Sequence, residues 1–493
     1  MKHKLIILII CLVMKFLTGR LVYAQQNILN YHVEFQTGYN GPGAVPFWLC
    51  SNQFGSVPPE GASAGFIGAI GKNYNRQKNI FADWGFRAEV RANLGKPSDL
   101  ILIEGYGKFR LAMFDFKAGR SKDIMGLCDT SLTSGSYVQS GNTLGIPKIE
   151  VSIPEFYVLP FLGRLFAFKG NYVHGWMGMT EKDFDTLIVS PTYLHQKSLY
   201  GRFGKPEWKL KLYGGFNHQV LWGDEEAFMG EDYTLNPTKT YLYVVTGKRF
   251  NNNTIQDTRV GNHLGSVDLG LEYDFKNIRV LAYRQNFYDA EALIHFANIL
   301  DGLNGLSFIN KRNSDKAFQW NRLLIEFLHT KNQAGEVWSR AVSSPYENYF
   351  NNGYYPEGWS YKGKGLGTPF ITPETSLKEG FPADPYDYFS NNRIIAIHLG
   401  IKASLYNWDL NSRLSFSRNY GTYRTASEGK ESPGMIYPSP YGVFPETDQF
   451  SLFLSIEREI QGNVDIGFMA AMDVGELYKN TFGFLCFISK SIW

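Results

Sequence analysis

The densest run of side chains suited to ligand recognition lies between Tyr346 and Lys364. Tyr349, Tyr354, Tyr355, Trp359 and Tyr361 are interspersed there with Asn348, Asn351, Asn352, Lys362 and Lys364. Aromatic faces stack on the C–H surfaces of sugars, and neighbouring amides and hydroxyls fix their orientation. Lysines add the charge that an acidic polysaccharide requires. Tyr349, Tyr354, Tyr355, Trp359, Tyr361, Lys362 and Lys364 are therefore the candidate glycan-binding set. The same aromatics could instead pack a long loop into the interior of the fold, and their spacing leaves both readings open.

Other residues suggest chemistry less well. His263 and Ser266 have the types of a base and a nucleophile. Residues three apart on a strand point to opposite faces, so the two cannot meet without a bulge. Structural hydrogen bonds from Asn262, His263 and Ser266 are the simpler reading, and His218 beside Gln219 suits a rim or wall position. Asp224, Glu225, Glu226, Glu231 and Asp232 form an acidic loop without the ligand spacing of an EF-hand. A solvated charge cluster is expected there. The chain has no Cys/His metal spacing, no P-loop and no G-x-S-x-G. No catalytic residue, metal or cofactor is expected.

The elements that must position these residues follow from the chain's start and its composition. Lys2, Lys4 and Lys15 flank an apolar run, and Val22-Tyr23-Ala24 precedes Gln25. That is the pattern of a secretory signal peptide over residues 1–24, cleaved near Ala24. The run is shorter than the roughly 20 residues a membrane-spanning helix needs. Loss of Lys2, Lys4, Lys15 and Arg20 takes four from the 49 basic residues, against 46 acidic ones, leaving near neutrality. A nucleic-acid partner is not expected without a basic surplus. Cys50, Cys128 and Cys486 remain, an odd and sparse set that makes no disulfide framework. One bridge, Cys50 to Cys128, is conceivable, but free thiols are the expectation.

Aromatic residues make up 16% of the chain, with 30 tyrosines, while hydrophobic residues total an ordinary 44%. Membrane strands give that balance because their apolar and polar residues alternate and cancel. From Trp84 to Leu94, Phe86, Ala88, Val90, Ala92 and Leu94 share one face and Arg87, Glu89, Arg91 and Asn93 the other. In Ile101 to Leu111, Ile101, Ile103, Phe109 and Leu111 oppose Glu104, Tyr106, Lys108 and Arg110. Trp208 to Phe216, Val267 to Phe275, Ile394 to Ala403, Trp408 to Arg418, Phe450 to Ile460 and Val464 to Val474 repeat the pattern. On this reading Asp268 should tolerate Ala far better than Leu269 tolerates Arg.

Alternation alone also suits a soluble sandwich, but segments of about 9 to 11 residues match tilted membrane strands. The chain ends on a strand-like segment, Phe482 to Trp493, in which Leu485, Phe487 and Trp493 share parity as the expected apolar face. The fold expected is an all-β, transmembrane antiparallel β-barrel over residues 80–493, with residues 25–79 as an N-terminal plug or first-strand region. Proline-rich and glycine-rich stretches imply long loops, the longest being His329 to Asn392. Asp289 to Leu303 reads as a small helical plug element.

Several stretches run in an order of their own. They begin with Ala44-Val45-Pro46-Phe47-Trp48-Leu49, Gly141-Asn142 with Ile146-Pro147, Ile153-Pro154-Glu155-Phe156 and His195-Gln196-Lys197. Leu212 to Gln219, Gly261 to Ser266, Tyr283-Arg284-Gln285 and Asp301 to Leu306 follow. Gly358-Trp359-Ser360-Tyr361 with Gly367-Thr368-Pro369, then Ser417 to Thr422, complete the series. Together they resemble the bacterial capsule-assembly family known as Wzi, in the form found across Bacteroidetes. The resemblance implies an outer-membrane barrel of about eighteen strands, within the even-numbered range of such barrels. It also implies a lectin-like, non-enzymatic anchor that holds capsular or exopolysaccharide at the cell surface. The implied partners are that polysaccharide, outer-membrane lipid and, during insertion, the barrel-assembly machinery. A sugar or oligosaccharide porin is the alternative, since it uses the same polar interior.

Purified in detergent, the protein should give a β-type circular dichroism spectrum and migrate faster on unheated SDS gels than after boiling. A predominantly helical spectrum, or extraction from membranes by carbonate, would exclude the barrel.

Overall fold

The computed structural model describes residues 29–492 apart from 42–43, 58–59, 76–80, 97, 184–186, 253–257, 290–291, 313–316, 336–346, 428–429, 433–434 and 438. The expected signal segment 1–24 and the terminal Trp493 lie outside the described residues. Eighteen strands form one antiparallel sheet. The first six are β1 Asn30–Asn40, β2 Glu60–Lys72, β3 Ala82–Lys96, β4 Asp99–Leu111, β5 Phe114–Arg120 and β6 Lys148–Val158. Next come β7 Phe166–Lys182, β8 Ile188–Phe203, β9 Leu210–Trp222, β10 Asn262–Asp274, β11 Ile278–Tyr288 and β12 Gly302–Asn310. The last six are β13 Phe318–His329, β14 Ile394–Leu405, β15 Trp408–Asn419, β16 Thr447–Glu459, β17 Val464–Gly475 and β18 Thr481–Ile492.

Each strand pairs with its neighbour in sequence, and β18 returns to β1, with Tyr31 opposite Ile492 and Asn40 opposite Gly483. Closure removes every strand edge, the condition a sheet must meet in hydrocarbon. The expected antiparallel barrel is the observed one. Gly483 has a steric role at the seam: a Cβ there would lie 2.3 Å from Asn40 Oδ1 and 3.0 Å from Pro46 Cδ. Within residues 25–79, the described part forms β1, β2 and an inward-folded stretch around the short helix α1 Phe47–Cys50.

The wall is inverted relative to a water-soluble protein. On β10, Leu269 is 57% exposed on the outer surface, while Asp268 is fully buried on the inside. Phe109, Leu212, Phe216, Ile397 and Phe416 are likewise exposed, whereas Glu326, His398, Ser417 and Asp473 are buried. The apolar belt faces outward and the polar face lines the lumen, the arrangement that transmembrane strands require.

Two faces differ from the simple alternation. Ile103 is the extra residue opposite the Glu89–Val90 step, a β-bulge. The bulge resets parity, so Leu102 is 46% exposed and Ile103 only 3%, contrary to the expected outward Ile101 and Ile103 face. On β18 the pairing with β1 sets Phe487 opposite buried Gln36 and Leu485 opposite Gly38. Leu485 and Phe487 therefore face the lumen, and Phe482 and Cys486 are exposed instead.

The connections 41–59, 121–147, 223–261, 330–393 and 420–446 all leave from one rim, opposite the rim of the two chain ends. The opposite rim is joined by turns such as 112–113 and 406–407. In outer-membrane barrels the long loops are the extracellular ones. The connection 223–261 contains α2 Glu225–Met229 and α3 Pro237–Thr246. Asn236 caps α3 by accepting from the Lys239 amide at 2.9 Å, Pro237 starts it, and Gly247 ends it at φ 68°. The expected helical element over Asp289 to Leu303 is reduced to a single 3-10 turn, Ala292–His295, followed by further turns.

Leu269→Arg should cost about 2–4 kcal/mol if the residue sits near the bilayer midplane. Asp268→Ala should not be tolerated as alternation alone expected. It leaves the Leu127 amide and the Tyr200 hydroxyl, both at 2.8 Å from the carboxylate, without their acceptor. That costs about 1–3 kcal/mol for each orphaned group. Both variants should lower the urea midpoint of the barrel folded in lipid vesicles, and Leu269→Ala should lower it less than Leu269→Arg. A wild-type midpoint for Leu269→Arg would invert the assigned faces.

Candidate functional site

The connections 41–59, 121–147 and 330–393 turn inward into the lumen, joined by Phe444 from 420–446 and by Leu477 and Tyr478 from the connection before β18. Their apolar residues form one core, including Phe47, Trp48, Tyr137, Phe350, Trp359 and Phe389. Tyr137 stacks on Phe287 with ring centres 3.9 Å apart and meets Tyr349 edge-on at 5.4 Å. Phe47 meets Trp48 at 4.8 Å and Phe370 at 5.1 Å. Such geometries add about 0.5–1.5 kcal/mol per pair beyond the area they bury. Carboxylates of the wall then catch backbone amides of the plug. Asp473 accepts from Phe47 N at 2.7 Å, Asp268 from Leu127 N at 2.8 Å and Glu326 from Ser134 N at 2.6 Å.

The candidate glycan-binding set is divided by this packing. Tyr349 and Trp359 are fully buried and Tyr355 nearly so. The Tyr349 hydroxyl donates to Asp301 Oδ2 at 2.8 Å and accepts from Asn298 Nδ2 at 2.9 Å. Burial pushes the Tyr349 and Tyr355 hydroxyls well above the usual phenol range. Tyr354 is half-buried and touches both this core and the satellite cluster of Val220, Val244 and Val260. Tyr361 accepts a hydrogen bond from Arg120 Nη2 at 3.1 Å. Asn351 serves a turn, its amide nitrogen donating to Phe389 O and its oxygen accepting from Phe389 N, both at 2.9 Å.

Lys362 and Lys364 come together at the plug's upper surface. Ser360–Tyr361 pairs with Lys364–Gly365 as a minimal hairpin, with Lys362 at φ 52° and Gly363 at φ 77°. Two positive φ values at the centre of a two-residue turn match the twist of the flanking strands. The hairpin is fastened by Thr143 Oγ1, which donates to Tyr361 O at 2.7 Å, and by Asn142 Nδ2, which donates to Gly365 O at 3.1 Å.

Beside it opens a cleft of about 770 Å³, within the range of small-ligand sites. Lys362 and Lys364 are joined there by Lys96 from the end of β3 and Lys479 from the connection before β18. Thr375 and Ser376 are exposed on its wall. Asp473 is the one carboxylate among the described lining residues, and it is engaged by Phe47 N and by Ser451 Oγ at 2.6 Å. Sequence reading missed Lys96 and Lys479. The only signal for them is closure itself, because β3, β2, β1, β18 and β17 are successive neighbours.

The remaining candidates have structural partners. Ser266 faces inward and donates to Asp268 at 2.7 Å, while His263 faces outward and bonds His218 at 2.9 Å. Glu225 folds back to accept from Gly223 N at 2.7 Å, and burial pushes its carboxyl up. Cys50, Cys128 and Cys486 are free.

Trp359→Ala should cost about 3–5 kcal/mol through the cavity it leaves, read as a fall in the thermal midpoint in detergent. Lys362→Ala, at an exposed turn, should stay within about 0.5 kcal/mol of wild type. Equal midpoints for the two variants would mean that the plug does not contribute to stability as packed.

No family model and no curated protein matches the chain. Among solved structures it is similar to Wzi, an outer-membrane protein involved in group 1 capsule assembly in Escherichia coli and a carbohydrate-binding β-barrel. Identity is 12%, 93% of this chain and 83% of that one are covered, and the TM-score is 0.56. OprD of Pseudomonas aeruginosa follows at 10% identity, 94% of each chain and a TM-score of 0.45. OccK5 of the same organism has 9% identity, 94% and 98% coverage and a TM-score of 0.44. The chain is a closed eighteen-stranded barrel of Wzi-like fold.

Proposed function

We propose that the protein is a non-catalytic anchor in the cell outer membrane that binds capsular or exopolysaccharide at its loop rim. The observation that carries this reading is the aromatic-filled lumen beneath a cleft lined by Lys96, Lys362, Lys364 and Lys479. A filled lumen supports retention over passage, and so an anchor over a sugar or oligosaccharide porin. The likeness in fold to a carbohydrate-binding barrel points the same way.

The four ammonium groups suit a polymer bearing carboxylates or phosphates. Thr375 and Ser376 offer hydroxyl partners for neutral sugars. Lys362 and Lys364 act by contact in this reading. Tyr349, Tyr354, Tyr355, Trp359 and Tyr361 act by holding the lysine hairpin over the packed plug. Single exposed charge pairs contribute only about 0–1 kcal/mol. Retention therefore depends on one polymer engaging many copies. Export by the signal segment, insertion by the barrel-assembly machinery and a surrounding annulus of lipid belong to the same proposal.

Replacing all four lysines by alanine should release polymer of unchanged chain length into the medium. The variant barrel should reach normal levels and keep its heat-dependent gel shift. Normal retention would remove the cleft from the binding surface. Steady single-channel currents from wild-type protein in planar bilayers would make it a porin, and shortened polymer would make it an enzyme.

A further inference from the structure

The outer face of the wall changes character in one strip near the loop rim. His263, Gly265, Val267 and Leu269 alternate onto the outward face of β10. His218 and Phe216 do so on the adjacent β9, and Arg284, Asn286 and Tyr288 on β11. Two excursions of the rim fold down beside this strip. On one side lies α3, where the Tyr241 hydroxyl meets that of Tyr172 at 2.7 Å and Lys197 Nζ donates to Val245 O. On the other lies the turn 292–300, held by Arg284, whose Nη2 donates to the carbonyls of Ile299 and Asp301.

Between them is a cleft of about 780 Å³ on the outside of the barrel. Its chemistry changes with depth. Near the rim it presents Arg259, His218 and His263, together with the guanidinium of Arg284, which pairs with Leu269 lower on the wall but reaches up to Asn286 Oδ1 and the carbonyls of Ile299 and Asp301. Val267 and Leu269, with Phe296 and Ile299 alongside, supply its apolar part. No carboxylate is among the described residues that line it. The side-chain acceptors of Arg284 are the neutral oxygens Asn286 Oδ1 at 2.6 Å and Asn304 Oδ1 at 2.8 Å, and the Asp301 carboxylate acts on the guanidinium only from beyond hydrogen-bond distance. The buried Nδ1 of His218 has no hydrogen-bond partner among the described residues.

Water does not suit the lower half. Ile294 and Phe296 are 72% and 68% exposed, beside a wall whose other exposed residues face hydrocarbon. Hydrocarbon does not suit the upper half, since an arginine is tolerated on the lipid face only near the interface. A strip that is cationic at headgroup level and apolar below it matches an anionic lipid. The long-loop rim is the extracellular one, which selects the outer leaflet. A soluble polymer would leave Ile294 and Phe296 uncovered.

We propose that this cleft binds one phosphorylated, acylated sugar lipid of the outer leaflet. Its phosphate sits at Arg259 and Arg284, its sugar meets Asn286, Tyr288 and His218, and one acyl chain runs along Val267, Leu269, Phe296 and Ile299. The site lies on the outer wall, apart from the lysine cleft, and stands or falls without the polysaccharide reading.

Native mass spectrometry of the full chain in a phosphate-free, non-ionic detergent tests it, with diphosphorylated lipid A as the probe. One lipid A should stay bound at concentrations where phosphatidylethanolamine does not. Arg259→Gln and Arg284→Gln should each weaken the adduct about tenfold, the usual scale for a charge-assisted contact. Lipid A stripped of its phosphates should lose as much with wild-type protein, a comparison that needs no variant to fold. Phe296→Ser should weaken binding of both forms, and all variants should keep the heat-dependent gel shift. Equal binding of phosphorylated and stripped lipid, equal binding of phosphatidylethanolamine, or undiminished binding by the double arginine variant would overturn the site.

Discussion

A sheet immersed in hydrocarbon cannot leave peptide groups unpaired, so the ladder between Asn30–Asn40 and Thr481–Ile492 determines much else in the molecule. It fixes the number of wall strands and with it the width of the lumen. Small barrels of about eight strands are filled by their own side chains, whereas barrels of this size enclose space that other elements must occupy. Here the loops do so. The same ladder brings the end of the chain beside its beginning, which is why Lys479 and Lys96 share a cleft. At the seam, the missing side chain of Gly483 lets Pro46 and the α1 turn approach the wall.

The plug is held by a recurring device rather than by one large interface. Asp268, Glu326 and Asp473 are isolated acids on inward positions, and each accepts one backbone amide from an inward-folded loop. A loop brought into a lumen loses water from its peptide groups, and an unpaired buried amide costs about 1–3 kcal/mol. A carboxylate with several lone pairs meets that need at a point where no regular ladder can form. His398 acts similarly, bonding Leu132 O and Ser415 Oγ at 2.8 Å each, while Trp48 Nε1 donates to the same serine at 3.1 Å.

The strands and the antiparallel barrel were legible in the sequence because alternation is a local signal, repeated in Trp84 to Leu94 and Val267 to Phe275. What was not legible depends on partners distant in sequence. The Ile103 bulge exists only against the Glu89–Val90 step of its neighbour. The face of β18 is set by β1, so parity counted from the terminal aromatic residue chose the wrong side. A polar inward face looks the same whether water or a loop fills the lumen, so Asp268 read as replaceable. The helix α3 carries a local signature, Asn236-Pro237 at its start and Gly247 at its end, but it lies in a loop-rich stretch where the same residue types also mark turns. Lys362 and Lys364 were legible as candidates, but Lys96 and Lys479 were not, since nothing near them in sequence indicates their neighbour.

These contrasts bear on how a rim cleft could hold a polymer. Lysine side chains are flexible, and each loses rotamer freedom when it is fixed on a ligand. Mounting Lys362 and Lys364 on a two-residue turn, itself fastened by Asn142 and Thr143, limits the backbone part of that loss. Lys96 at the end of a wall strand is similarly placed, with a backbone fixed by the β-ladder. On the proposed function the buried aromatics therefore contribute preorganisation rather than stacking: they convert a long loop, which would otherwise sample many conformations, into a fixed platform for charge. A platform of that kind gains little per site, but repeated along a polymer that spans many barrels its small contributions multiply.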